Sequence, residues 1–460
     1  MFGETVYDFL AVLCAHMDKE KERQCAIRRT GMEESHFKKM IEKYEPILKM
    51  VLNSVANEYK FNSSELVHIN ELLQNLSKEA DDDIFHLTVA VEQVIPAYTG
   101  WLEETVFHPI LPMNHNWKET GIEIYPRTIP KWKLDKSERN RRRVLNSYLT
   151  NYIVVRRDDI FPFQLDVTYW NDEGLLKKTE AGWEFSVALS PAMNYAELAT
   201  KNEETQKGHT IAVQGLKNED AVTKRILEIF DQLFPQQYSM IVFTEGLGTE
   251  KLVDVIKERM RIYPNYCTIV VLPTICKDNI NRLIVLGPGG VTCLQHDKAV
   301  PFILSGKDGI ERREQLLYDN HIPVLITREL GMVAFPICAE FIDPDYYQTM
   351  VEDVMINTIV CPSFSPGVQA FKETMEKGRA LKLLQLYINT CSAKVVSRKK
   401  QDVPEPLGMV QLPYSDQCTP LCELGRICNN ECSKTMCYFD IRISYKDQMF
   451  YLVKAHCLCA

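Results

Sequence analysis

From residue 208 to about 412 the chain alternates apolar runs with amphipathic stretches, and no other feature constrains its fold as strongly. "HTIAVQGL" is strand-like, and "NEDAVTKRILEIFDQLF" is a capped amphipathic helix. "YSMIVFTE" is a second apolar strand, followed by the helical "EKLVDVIKERMR" and then the strands "CTIVVLPTI" and "NRLIVLGPGG". Strands alternating with helices imply an α/β domain whose helices cover a sheet. The last two strands are consecutive and joined through "CKDNIN", which reads as a hairpin, so the sheet is expected to be mixed.

The residues before this region read differently. Residues 1–110 are expected to form a mainly helical module. "HFKKMIEKYEPILKMVLNSV" sets its apolar side chains at helical spacing, with Pro46 as a kink. "NSSELVHINELLQNLSKEA" opens on capping residues, and the acidic run Asp81–Asp83 suits a helix start, where the dipole favours negative charge. Residues 111–207 read as a mixed α/β connecting region. Its strand-like segments are "NYIVVRR", "FQLDVTYW" and "WEFSVALSP", and the polar "TKNEETQKG" serves as a linker. The basic "KSERNRRRVL" reads as a solvated helix face.

Composition narrows the function classes. A chain of 460 residues is expected to form two or three domains. The net charge of -9 gives no electrostatic case for a nucleic-acid partner. No apolar run approaches the roughly 20 residues of a membrane-spanning helix. The N-terminus lacks a basic stretch before its apolar residues and carries Asp8 among them, so a cytoplasmic protein is expected. Fifteen cysteines, an odd number without a secretion signal, argue for reduced thiols. Seven of them fall in residues 418–459. Their gaps are wider than those of common zinc knuckles, so a terminal β-hairpin from "MCYFDIRIS" and "MFYLVKAHC" is expected and no metal.

Three ionisable residues stand just past apolar strands, where α/β folds commonly place chemistry. Glu245 follows "SMIVFT", Lys298 follows "VTCLQHD", and Cys338 follows "GMVAFPI". Taken singly, each has an ordinary structural role: a helix cap, a surface ion pair and a buried thiol. Together they have a chemical logic. A carboxylate deprotonates a thiol, and an ammonium stabilises the oxyanion formed when sulfur attacks a carbonyl or nitrile carbon.

Six motifs in order carry a resemblance to a known family. "TIAVQG" looks like its first strand and "IVFTEG" like its glutamate motif. "NRLIVLGPGGVTCLQHDKAVPF" is similar to its hairpin leading to the lysine, and "RELGMVAFPICAEF" to its strand and nucleophile elbow. "NTIVCPSFSP" and "GRALKLLQLYINTCSAKVV" are similar to the next strand and to a helix opening on Arg-Ala with the strand after it. On these residues the chain from 208 to about 412, and on to the C-terminus at 460, resembles the nitrilase (carbon–nitrogen hydrolase) superfamily.

The resemblance implies a four-layer α-β-β-α sandwich in which Glu245 is the general base, Lys298 the oxyanion stabiliser and Cys338 the nucleophile. It also implies that the Ala339 backbone N–H helps hold the oxyanion, with Glu340 as a supporting carboxylate. The reaction runs through a thioester and needs no cofactor. The family's second glutamate, usually in a Pro-Phe-Gly-Glu context, is displaced here in "VPFILSGKDGIERREQ", leaving Glu311 or Glu314 to supply it from a longer loop. The expected partner is a small amide or nitrile, acted on by a homodimer or higher oligomer. The N-terminal module serves assembly or regulation, or binds a protein partner; bacterial anti-phage defence is one setting in which such domains occur. Two alternatives share the fold: a catalytically silent scaffold, and an N-acyltransferase that hands the thioester to an amine.

Overall fold

The computed structural model describes the chain except residues 1–2, 31–38, 40–41, 98–106, 129–143, 171–173, 181, 193–197, 206–207, 267, 306–308, 318–319, 380, 391–405, 414–420, 426–436, 447–448 and 460. The basic cluster at 136–143 and most of the cysteine-rich stretch lie outside the described residues. The chain divides into two compact units. Unit 1 comprises Met1–Glu104, Ile110–Gln164 and Gln348–Met355, and unit 2 comprises Thr105–Pro109, Leu165–Tyr347 and Ile356–Ala460. The main boundary therefore falls near residue 165, not at the polar stretch before 208. Among the described residues no helix is long and apolar enough to cross a membrane.

Unit 1 contains helices Val6–Ala15, Lys19–Thr30, Glu45–Ala56, Ser63–Asn75 and Asp81–Val94, with the antiparallel pair Ile122–Pro126 and Tyr152–Arg156. Local chemistry sets the helix starts. Thr5 and Asp8 form a capping box, as do Asn62 and Glu65, each satisfying N–H groups that lack intrahelical acceptors. Asp81, Asp82 and Asp83 occupy the first turn of their helix. Pro46 does not kink a long helix. It sits in the first turn of Glu45–Ala56, where its missing N–H costs nothing. The core gathers Phe9, Leu10, Leu13, Phe85, Val91, Ile124 and Tyr152.

Unit 2 is mixed α/β. One sheet of nine strands runs Ile275–Lys277, Ile280–Leu286, Ile269–Val271, Met240–Val242, Gly182–Leu189, Cys437–Lys446, Met449–Cys459. Thr292–Asp297 also pairs with Ile280–Leu286, and Lys177–Thr179 with Gly182–Leu189. A second sheet of eight runs His108–Pro109, Gln164–Trp170, His321–Thr327, Gly331–Ala334, Thr358–Ser363, Leu384–Asn389, Gly408–Gln411, Cys422–Leu424. Both sheets mix parallel and antiparallel pairs. The two meet where Thr292–Asp297 packs against His321–Thr327. Helices Glu219–Leu233 and Glu250–Ile262 bury Ile226, Phe230, Leu252 and Ile256 against Ile241, Val270 and Leu272.

Several elements follow the sequence pattern and some depart from it. The strands around "CKDNIN" form the expected hairpin, turning through Asp278 and Asn279, both at positive φ as a two-residue turn of this hand requires. Cys437–Lys446 and Met449–Cys459 form the expected terminal hairpin. "TIAVQG", however, is not a strand of the nine-stranded sheet. Gly208–Leu216 belongs to a separate four-stranded sheet ordered Ile303–Ser305, Glu311–Glu314, Gly208–Leu216, Leu198–Thr205. The position beside Met240–Val242 is taken by Gly182–Leu189. "TKNEETQKG" is correspondingly not a linker: Leu198–Thr205 is a strand paired with Gly208–Leu216. Arg379 ends helix Gln369–Arg379 instead of opening one.

Candidate active site

Each of the three strand-end residues arrives on a different element of unit 2. Glu245 follows Met240–Val242, Lys298 follows Thr292–Asp297, and Cys338 follows Gly331–Ala334 after a short apolar turn. All three are at least 95% buried. Buried charges need partners at close range, so the site's geometry is set by its ion pairs and hydrogen bonds.

Lys298 supplies the centre. Its Nζ donates to Glu245 Oε1 at 2.8 Å and to Glu314 Oε2 at 2.8 Å. Burial alone would lower the Lys298 pKa, but the two carboxylates outweigh it and hold the ammonium well above its ordinary range. Glu245 is fixed at both oxygens. Oε1 also accepts from Asn281 Nδ2 at 2.8 Å, and Oε2 accepts from the Phe364 backbone N–H at 2.7 Å. The Asn281 carbonyl in turn accepts from the Lys298 N–H at 2.9 Å.

The second carboxylate that meets Lys298 is Glu314. The chain leaves Lys298, passes Pro301 and Phe302, and returns through the antiparallel pair Ile303–Ser305 and Glu311–Glu314. Glu314 thereby lands beside Phe302: its N–H donates to the Phe302 carbonyl at 2.8 Å, and its Oε2 accepts from the Phe302 N–H at 2.9 Å. Glu311 is exposed and is not brought to Lys298. Strand geometry explains the difference. Residues an odd number apart on a strand point to opposite faces.

Cys338 adopts φ +48° and ψ -103°, a conformation that costs a non-glycine residue on the order of 1–3 kcal/mol and persists only when its surroundings enforce it. The Cys338 N–H donates to the Pro362 carbonyl at 3.0 Å, and Ser363 Oγ donates to the sulfur at 3.2 Å. Burial pushes the thiol pKa up. Glu245 pushes it further, and Lys298 and Ser363 pull back only partly, so the resting sulfur is a neutral thiol. Ala339 opens the short helix Ala339–Ile342, at a position where a backbone N–H has no intrahelical acceptor.

Glu340 makes a separate set of contacts. Its carboxylate accepts from His296 Nε2 at 2.9 and 3.0 Å, from the Ala299 N–H at 2.5 Å and from the Ile337 N–H at 2.6 Å. Sequence reasoning did not single out Asn281, His296, Ser363 or Phe364. Ser363 was signalled by the Pro-Ser after an apolar strand, and Asn281 by its place at the start of the strand leading to the lysine hairpin. His296 and the Phe364 N–H carry no signal of their own. Among the described residues no group of His, Cys, Asp and Glu is arranged to hold a metal ion.

No family model matches this sequence, and no curated protein matches it either. Solved structures do. The chain is similar to glutamine-dependent NAD+ synthetase from Acinetobacter baumannii, with 12% identity and a TM-score of 0.38 over 59% of this chain and 48% of that one. It thus spans about half the length of that synthetase. It is also similar to Saccharomyces cerevisiae Nit3, a member of branch 10 of the nitrilase superfamily, with 11% identity and a TM-score of 0.34 over 52% of this chain and 85% of that one. A mutant of the amidase from Nesterenkonia AN1, also of the nitrilase superfamily, aligns with 13% identity and a TM-score of 0.35 over 55% of this chain and 90% of that one. The solved structures to which this chain is similar thus include members of the nitrilase superfamily.

Proposed function

We propose that unit 2 is a nitrilase-like thiol amidohydrolase that cleaves a carbon–nitrogen bond of a small amide or nitrile through a thioester on Cys338. The observation that carries this reading is the bridge made by Lys298 between Glu245 and Glu314, beside a neutral thiol held at a strained turn. In this reading the nine- and eight-stranded sheets are the inner layers of a four-layer sandwich. Unit 1 serves assembly or regulation.

The resting thiol needs a base at the moment of attack. Glu245 takes the Cys338 proton as sulfur adds to the substrate carbonyl carbon. The carbonyl π electrons move to oxygen, and the Lys298 ammonium with the Ala339 N–H stabilises that charge. As the tetrahedral adduct collapses, the carbon–nitrogen bond breaks and protonated Glu245 returns the proton to the leaving nitrogen. Ammonia or an amine departs. Water then loses a proton to Glu245, adds to the thioester, and the carbon–sulfur bond breaks with return of the proton to sulfur. Glu314 keeps Lys298 charged and in place throughout.

A scaffold that lost catalysis is the second reading; of its two grounds, a missing second carboxylate and a large helical addition, the first is weakened by Glu314, which lies 2.8 Å from Lys298. The test is ammonia release across a panel of amides, nitriles and ureides, with mass analysis of Cys338 after exposure to an electrophilic amide. Release that is lost in Cys338→Ala and Lys298→Ala supports the proposal. No release from any compound, with no adduct on Cys338, refutes it. Adding amines during turnover separates hydrolysis from acyl transfer by the products formed.

A further inference from the structure

Lys298 and Cys338 come from different sheets, with no backbone ladder between them. Their separation must be set by side chains. A single carboxylate reaches both. Glu340, fully buried, accepts from His296 Nε2 and from the Ala299 N–H, which flank Lys298 on either side. It also accepts from the Ile337 N–H, directly before Cys338. The strand that delivers the ammonium and the turn that delivers the sulfur are thus pinned to one group. His296 is itself 3% exposed, and its Nδ1 has no hydrogen-bond partner, so its polar contact with the turn runs through Glu340.

We infer that His296 and Glu340 form a positioning pair that sets the distance between the Lys298 ammonium and the Cys338 sulfur. Loosening it impairs addition of sulfur to a carbonyl more than it impairs the sulfur's reactivity as such. This inference rests on the thiol amidohydrolase reading. Glu340 alone cannot test it, because its bond to Ile337 also holds the strained turn. His296 touches that turn through Glu340 and is the cleaner target.

Two reagents separate the effects. With iodoacetamide, sulfur forms a carbon–sulfur bond, iodide leaves and the thiol proton passes to base; no oxyanion forms. With p-nitrophenyl acetate, sulfur adds to the carbonyl, an oxyanion forms beside Lys298, and p-nitrophenolate leaves as the thioester is made. Acylation is read as p-nitrophenolate release, since water clears the thioester, and alkylation by peptide mass analysis of Cys338; the ratio of the two rates at one pH reports the placement of Lys298. In His296→Leu and His296→Asn, which lack a donor at the Nε2 position, this ratio is expected to fall about tenfold or more, since a 1 Å misplacement costs on the order of 100-fold. In His296→Gln, whose amide reaches that position, most of the ratio is expected to return. His296→Asn serves where His296→Leu does not fold, as judged by circular dichroism. A smaller fall, or loss of both rates in proportion, overturns the positioning role. In the wild type, absence of any p-nitrophenolate release that prior alkylation of Cys338 abolishes overturns the amidohydrolase reading instead, so the two failures are distinct.

Discussion

Replacing Lys298 by methionine removes the cation that two buried carboxylates share. Its Nζ lies 2.8 Å from one oxygen of Glu245 and 2.8 Å from one oxygen of Glu314, so those oxygens are no farther apart than twice that distance, about 5.6 Å. Without the ammonium, two buried negative charges face each other. At an effective dielectric of ~20 their repulsion is about 3 kcal/mol. Breaking a buried ion pair by deleting one partner typically costs about 3–5 kcal/mol, which is consistent with that figure. Lys298→Met is therefore expected to be destabilised by about 3 kcal/mol or more at pH 8. For a domain of this size that corresponds to a fall in melting temperature of roughly 6 °C or more. The double variant Lys298→Met with Glu314→Gln removes one of the facing charges and is expected to recover about half of the loss at pH 8 without regaining activity. Thermal melts of wild type, single and double variants at pH 8 make the comparison. A single variant as stable as wild type at pH 8, or a double variant no more stable than the single, would refute the electrostatic account of the site.

Glu314→Gln alone is expected to slow Cys338 acylation about 10²-fold, because Lys298 loses a charged partner, whereas exposed Glu311→Ala leaves the rate unchanged; acylation kinetics on both variants decide this. Alkylation of Cys338 is expected to keep rising with pH beyond 9, since burial and Glu245 raise its pKa, and Ser363→Ala is expected to slow it about threefold at fixed pH by removing a hydrogen bond to sulfur; rates measured between pH 7 and 10 test both points. In unit 1, burial raises the Glu22 pKa from 4.5 to about 7 despite its contact with Arg156. A raised carboxyl stabilises the folded state below pH 4.5, and that contribution is lost as pH rises through 7, so wild type is expected to lose about 3 kcal/mol between pH 5 and 8 relative to Glu22→Gln, as read by denaturant melts of the two proteins.

Much of the site was legible because its chemistry is local to strand ends. An apolar run that ends in an ionisable residue marks the end of a buried strand, and Glu245, Lys298 and Cys338 each stand just past such a strand. The cap that opens "NSSELVHINELLQNLSKEA" at Asn62 follows the same logic, since a cap is a contact between residues three apart. The hairpin at Asp278 and Asn279 was equally visible, because a two-residue turn leaves no room for another connection. Sheet membership was not visible. "TIAVQG" and "WEFSVALS" both alternate as strands do, and periodicity says that a segment is a strand, not which sheet receives it. Burial separates them only after folding: the second half of Gly182–Leu189 is wholly buried, while Gly208–Leu216 is mostly half-buried.

By itself, then, the sequence determined an α/β region, its strand ends and the three reactive residue types placed on them, because each depends on neighbours along the chain. Tertiary structure decided what those residues touch. It chose Glu314 over Glu311 by returning a hairpin to Phe302 in one register, and it set Asn281 and the Phe364 N–H on Glu245. It also placed Glu340 on His296, a partner far away in sequence. Such choices turn on register and sheet packing, where a shift of one residue sends a side chain to the opposite face, and nothing local along the chain records that outcome.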